Sequence, residues 1–200
     1  MQDPGFRPGS SLIGGKVMGP AAGSGAVKIR PATPEDAAVI ADIYADAVLN
    51  GAATFELEPP GPDEMARRMN DVAAGGYPWL VAASAATVVG YAYAAPYHRR
   101  PAYRWTVEDS VYIAPDQKGR GIGRALLEAV IAISQEKGYR QMVAVISDDK
   151  SMASVALHRG CGFAEVGRLP AVGWKHGRWL ATIFMQRPLG AADAQPPADV

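Results

Sequence analysis

The sequence predicts a mixed α/β fold, a central sheet flanked by helices. Three observations predict it. Strand-period and helix-period segments alternate from residue 27 to residue 186. Trp79–Ala83 and Val88–Ala94 are two strands about a short turn, which places a hairpin in the middle of that alternation. Met142–Ile146 is an unbroken apolar run, the mark of a strand covered on both faces. Alternation with an internal hairpin calls for a sheet holding both parallel and antiparallel pairs.

Each element has a local cause. Val27–Arg30 reads as a short strand. Thr33-Pro34-Glu35-Asp36 supplies an N-cap, a proline at the first helical position and acids in the first turn. Ile40, Ile43, Tyr44, Ala47 and Val48 then recur at helical spacing until Asn50-Gly51 stops the helix. Residues 62–74 form a more polar helix that ends at Gly75-Gly76, and after the hairpin a longer strand runs from Trp105 to Ile113. The clearest helix starts within Gly119–Gly123, buries Ile122, Ala125, Leu126, Ala129, Val130 and Ile133, and ends at Lys137-Gly138. A short helix near 151–160, a strand near 163–168 and a last strand at Trp179–Gln186 complete the order.

Composition bounds the function. The chain has 200 residues with 20 Lys+Arg against 20 Asp+Glu, a balance unlike the basic excess of a nucleic-acid or anionic-membrane binder. Its one cysteine, Cys161, excludes an intrachain disulfide framework and a cysteine metal cluster, and makes the cytoplasm the expected compartment. No run of about 18 apolar residues suggests a membrane span. Residues 1–25 hold seven Gly and three Pro with no hydrophobic period, so they are expected to be a disordered leader, native or a cloning remnant. One domain is expected over 26–189, with a loose tail over 190–200.

The chemistry concentrates in Gln117-Lys118-Gly119-Arg120-Gly121-Ile122-Gly123-Arg124, between a strand and the best helix. Glycines let backbone approach a ligand, and a helix N-terminus offers unpaired N–H groups to phosphate. Position 124 is Arg, so the dinucleotide pattern G-x-G-x-x-G fails, and no Gly-Lys-Ser/Thr closes a Walker loop. A tight turn rich in Gly for steric reasons alone remains the alternative to an anion site.

The stretch from Ile113 to Leu127 resembles the acetyl-CoA motif of the GNAT N-acetyltransferase superfamily, with Lys118 at the position usually Arg or Gln. Ala153–Phe163 resembles that family's later helix and Gly-Phe turn, with Ser151 where Asn is usual. Gly76–Ala82, Trp105–Ile113 and Val172–Trp179 are similar to the phosphinothricin and methionine sulfone/sulfoximine N-acetyltransferase subgroup, although Ala181 stands where that subgroup often has Asp. The resemblance covers roughly residues 27–188. It implies one GNAT-like domain with a mostly antiparallel sheet of about six to seven strands. It also implies acetyl-CoA as cosubstrate, with Lys118, Gly119, Arg120, Gly121, Ile122 and Gly123 on the pyrophosphate. Val111, Tyr112 and Ile113 would pair with the pantetheine arm, and Ser151 would offer a further contact.

Glu108 alternates onto one strand face with Ser110 and Tyr112. A strand-interior Glu is ordinarily a partly solvated residue; the resemblance makes it the base for the substrate amine. Asp109 faces the other way unless a bulge, which this family typically has in that strand, re-aims it, and is a secondary candidate. His158 lies where many relatives carry a Tyr that protonates the departing thiolate, and imidazole can do the same; packing is the competing role. His98-Arg99-Arg100-Pro101-Ala102-Tyr103-Arg104 is a solvated charge run or an anion-binding wall. The resemblance places Phe55, Arg99, Arg100, Tyr103, Val107, Glu108 and Asp109 around the amine substrate, with the 54–56 loop often contributed by a second subunit, hence a homodimer. The three histidines have no metal-site spacing, so no metal is expected. The expected activity is acetyl transfer to the amine of a small amino acid or analogue. Another amine, or a non-catalytic acyl-CoA sensor, is the alternative.

Overall fold

The computed structural model describes residues 26–85, 87–148 and 152–197; the Gly/Pro-rich leader and Ser151 lie outside the described residues. Seven strands form one sheet: β1 (Lys28–Pro31), β2 (Trp79–Ser84), β3 (Thr87–Pro96), β4 (Thr106–Ile113), β5 (Gln141–Ser147), β6 (Ala164–Lys175) and β7 (Arg178–Pro188). Their order is β1-β2-β3-β4-β5-β7-β6. Every neighbouring pair is antiparallel except β4 and β5. The expected mixed, mostly antiparallel sheet is therefore the one observed.

Helices cover both faces. On one, α1 (Ala37–Leu49) and α2 (Pro62–Ala74) bury Ile40, Tyr44, Val48, Met65 and Met69 against Trp79, Val81 and Tyr91. On the other, α3 (Ile122–Glu136) and α4 (Ala153–Gly160) bury Leu126, Leu127, Val130 and Val155 against Val107, Met142, Ile183 and Met185. Each such side chain contributes about 1.5–3 kcal/mol of transfer free energy. The start of α1 is fixed by Asp36, whose carboxylate accepts from the Thr33 amide at 2.8 Å and from Arg30 at 2.7 Å.

The helices and most strands end where their signals place them. β6 differs: the strand expected near 163–168 runs on to Lys175. Pro170 and Gly173 hide this in the sequence, but β6 is an edge strand, where a missing amide donor breaks no ladder. Register shifts between Leu169 and Gly173 absorb the irregularity. Residues 190–197 carry turns closed by Ala192 N–H to Leu189 O at 2.9 Å and Ala194 N–H to Ala191 O at 3.0 Å.

Candidate active site

The one parallel pair is incomplete. β4 and β5 are in register from Thr106–Gln141 to Asp109–Ala144; β4 then continues to Ile113 and β5 to Ser147 without pairing to each other. A cleft of about 60 Å³ opens at the split, lined by Ala53, Asp109, Ser110, Val111, Tyr112, Val145, Ser147, Ser154 and His158 among others. Backbone parity decides what it presents. The Ala114 amide and the Thr106 carbonyl bond toward β3, while the Trp105 carbonyl accepts from Arg140 and Gln141 on the β5 side. Odd-numbered residues of β4 therefore aim N–H and C=O away from β3. Past Asp109 these are Val111 and Ile113, whose polar backbone faces the opening. Tyr112 instead packs its ring 5.0 Å from Tyr44 and 5.2 Å from Tyr91.

At the far end of β4 the chain turns into α3 through Gly119 (φ 76°) and Gly121 (φ 80°), both in the left-handed region that side chains resist. Gly121 is the N-cap, so the first amides of α3 follow directly on an exposed stretch, Lys118 to Gly121. Gly123 lets the helix pack closely, since a Cβ there would meet Leu157 at 3.4 Å. Arg124, the last residue of the glycine-rich stretch, turns away: it donates to Gly160 O at 2.9 Å and meets Glu128 at 3.3 Å.

The pleat separates the two acidic neighbours. Glu108 shares the α1/α2 side with Ser110, which bonds Tyr93. Burial first, then the nearby charge of Asp109, pushes its carboxyl up to about 7. Among the described residues it has no ion-pair partner. Asp109 is buried on the opposite side, with Oδ2 2.9 Å from His158 Nε2. The expected bulge is absent from the β3–β4 ladder, whose register is unbroken from Gly90–Ile113 to Pro96–Val107, so nothing re-aims Asp109. His158 is itself buried, with Nδ1 2.7 Å from the Ser154 carbonyl and Phe163 edge-on at 5.1 Å. Both ring nitrogens are thus engaged. Val107, expected at the substrate, has no exposed surface and is a core residue instead.

The 51–57 loop walls the cleft through Ala53 and is tied on several sides. Ser147 donates to the Ala52 carbonyl, Lys175 Nζ donates to Thr54 O at 2.8 Å, and His176 Nε2 donates to Gly51 O at 2.9 Å. Tyr44 donates to Glu56 at 2.9 Å, and Arg68 donates to Glu56 at 2.8 Å. Phe55 packs where a Gly173 side chain would otherwise sit. The ties that Lys175, Tyr44 and Arg68 make to this loop carried no signal in the sequence, because the partners lie on other elements. Arg99, Arg100 and Tyr103 do not join this site within one chain. With Pro96, Tyr97 and His98 they line a separate hollow of about 620 Å³ that shares no residue with the cleft. No group of side chains suited to a metal ion occurs among the described residues.

A split parallel pair in a mixed sheet, open backbone on one arm and a glycine-rich helix start at its end define a class of acyl-group transferases that receive an extended, phosphate-bearing carrier. Residues 29–183 match the acetyltransferase (GNAT) domain family, and the chain belongs to it. It is 46% identical over 172 residues to a phosphinothricin N-acetyltransferase of Alcaligenes faecalis, covering 86% of this chain and 87% of the relative. An L-methionine sulfoximine/L-methionine sulfone acetyltransferase of Pseudomonas aeruginosa is 40% identical over 84% of this chain and 98% of its own. A phosphinothricin acetyltransferase from Sinorhizobium meliloti, solved in complex with acetyl-CoA, superposes with a TM-score of 0.84 at 46% identity, covering 86% of this chain and 94% of that one.

Proposed function

We propose that the chain transfers the acetyl group of acetyl-CoA to the amine of a small amino acid or analogue of the phosphinothricin, methionine sulfone or methionine sulfoximine type. The observation that carries this reading is Glu108, a half-buried carboxylate held at about 7 beside the end of the β4–β5 pairing. The residues fit the carrier: the open Val111 and Ile113 backbone suits an extended amide-bearing arm, and Lys118, Gly119, Arg120, Gly121, Ile122 and Gly123 suit its phosphates. Acetyl-CoA supplies an acetyl group activated as a thioester.

The chain's own residues do the rest. Glu108 accepts the proton that the amine sheds on attack, with a proton affinity matched to neutral pH. The Val111 amide polarises the acetyl oxygen, as backbone donors do wherever negative charge develops. Phe55 and its loop bound the acceptor side.

Two further readings accompany this. A homodimer is supported by the apolar surface of the β6–β7 ribbon, and a cytoplasmic location by a single buried thiol. No helix among the described residues is long and apolar enough to cross a membrane.

Acetyl-CoA consumption measured with phosphinothricin, methionine sulfone, methionine sulfoximine, polyamines and short peptides tests the proposal. Turnover of the amino-acid analogues is expected. Turnover of polyamines or peptides alone would overturn the substrate class. Binding of acetyl-CoA with no thiol release for any amine would overturn the enzymatic reading.

A further inference from the structure

Arg124 ties the first turn of α3 to the last turn of α4, and neither base nor oxyanion chemistry calls for it. It is the third residue after Gly121, the N-cap of α3, and its guanidinium donates to Gly160 O at the end of α4 at 2.9 Å. A helix leaves its last carbonyls without internal partners, and an arginine there satisfies one and complements the dipole. Arg187 of β7 does the same one residue on, donating to Cys161 O. The sequence makes room for both. A Cβ at position 160 would collide with Arg124 Nη2, and one at position 162 would stand 3.0 Å from Arg187 Nη1. Gly160 and Gly162 are the seats of two guanidinium groups.

Both ends of the tie matter to the chemistry. α3 begins at the Lys118–Gly123 stretch suited to the carrier's phosphates, and Ser154 and His158 of α4 line the cleft. α4 is only eight residues long, too short to hold its shape by its own hydrogen bonds, so it depends on what grips it. The two helices meet at Gly123, where a Cβ would stand 3.4 Å from Leu157. We propose that Arg124 is a positioning residue that couples the seating of the phosphates to the α4 wall of the cleft, by capping α4 from the turn the phosphates occupy. This rests on the placement of the phosphates given above. Arg124 stays on Gly160 when the carrier binds and touches no phosphate.

The tie is exposed, with 50% of the Arg124 side chain open to water and Glu128 at 3.3 Å from it. Its strength is that of a surface helix cap, a factor of about two to five. A direct guanidinium–phosphate bond would be worth about tenfold or more. Coupling is reciprocal: if a seated carrier steadies α4, a steadied α4 tightens the carrier by the same factor. The two roles therefore predict different losses when the guanidinium is displaced.

Amide hydrogen exchange on the full chain, with and without coenzyme A, tests this without any amine or turnover. Coenzyme A is expected to slow exchange over residues 118–123 and also at Cys161 and Phe163, whose amides close the end of α4. Two variants displace the guanidinium by different routes, Arg124→Leu by removing it and Gly160→Ala by filling its seat. Alanine is the better helix former, so a looser α4 in Gly160→Ala must come from the displaced arginine. Both variants should quicken exchange at Cys161 and Phe163, abolish their response to coenzyme A and weaken its binding about two- to fivefold. The double variant should lose no more than either single one. A loss of about tenfold or more in Arg124→Leu, with Gly160→Ala unchanged, marks a phosphate contact and overturns the proposal. An α4 that is loosened in both variants yet still answers to coenzyme A makes the tie merely structural and overturns it too. Protection of 118–123 without α4 in wild type overturns the coupling and leaves the phosphate placement standing; protection of neither overturns the placement as well.

Discussion

Glu108 and Asp109 are adjacent carboxylates, and the pleat alone gives them different chemistry. Glu108 faces the α1/α2 side with no ion-pair partner among the described residues, and its raised proton affinity follows from burial and from Asp109's charge. Glu108→Gln is expected to lower kcat/KM by about 10²- to 10⁴-fold, and steady-state rates across pH check it. In wild type the base form grows as pH rises through about 7, so the acidic limb of the profile should centre there and vanish in the variant. The same residue sets a stability cost. Its folded value lies above the ordinary one of 4.5, so the stability it lends is complete below that value and lost as pH rises through about 7. Glutamine resembles the neutral form at every pH. Denaturant unfolding should therefore find Glu108→Gln more stable than wild type by about 2 kcal/mol at pH 8, converging with it near pH 4. Equal stability at both pH values would show that the carboxyl is not desolvated. Alternation alone was enough to assign the two faces. The His158 contact was not legible, because 49 residues of chain separate it from Asp109 and only the docking of α4 brings them together.

At the scale of elements, what the sequence shows are the features enforced locally: the glycines at φ 76° and 80° before α3, the apolar stripe of α3 itself, and the uninterrupted run of β5. What it conceals are features enforced from a distance. The length of β6 depends on pairing with β7, and the place of the 51–57 loop depends on the turn after β6. Lys175 is the clearest case. Only 3% exposed, it points its ammonium at backbone carbonyls of α1 and the loop, and burial lowers its proton affinity despite the help of Glu56. Lys175→Met keeps the volume but leaves the Thr54 carbonyl without its donor, a loss of about 1–3 kcal/mol. The melting temperature should fall by about 2–12 °C, and amide exchange should quicken over residues 51–57. On the proposed function, with the loop walling the acceptor side and the carrier along β4, the KM for the amine should rise while that for acetyl-CoA holds. A rise confined to acetyl-CoA would refute this division of labour.

For the whole molecule, the two edges of the sheet are treated differently. β1 is four residues long, carries Lys28 and Arg30 and ends in proline, which are the ordinary means of keeping an edge from pairing. β6 is twelve residues long and exposes Val166, Leu169, Val172 and Trp174 at 48–58%, with Trp179 of β7 at 61% and its ring 5.3 Å from that of Trp174. Single exposed apolar residues need no explanation, but a contiguous ribbon of them marks a surface that something covers. The irregular register between Leu169 and Gly173, with Pro170 inside it, argues against a continuous ladder from one β6 to another. The expected contact is therefore face to face, tryptophan against ribbon, and a two-fold axis lets one patch serve both copies. Sedimentation at micromolar concentration should find a dimer. Trp174→Glu combined with Trp179→Glu should give a monomer with unchanged helical circular dichroism, because neither ring belongs to the core clusters. Phe55 packs on Gly173 of the same ribbon, so the dimer would brace the acceptor loop from outside, and the monomer should bind the amine more weakly. A wild type that sediments as a monomer throughout, or a double variant that stays dimeric, would rule out this face as the interface.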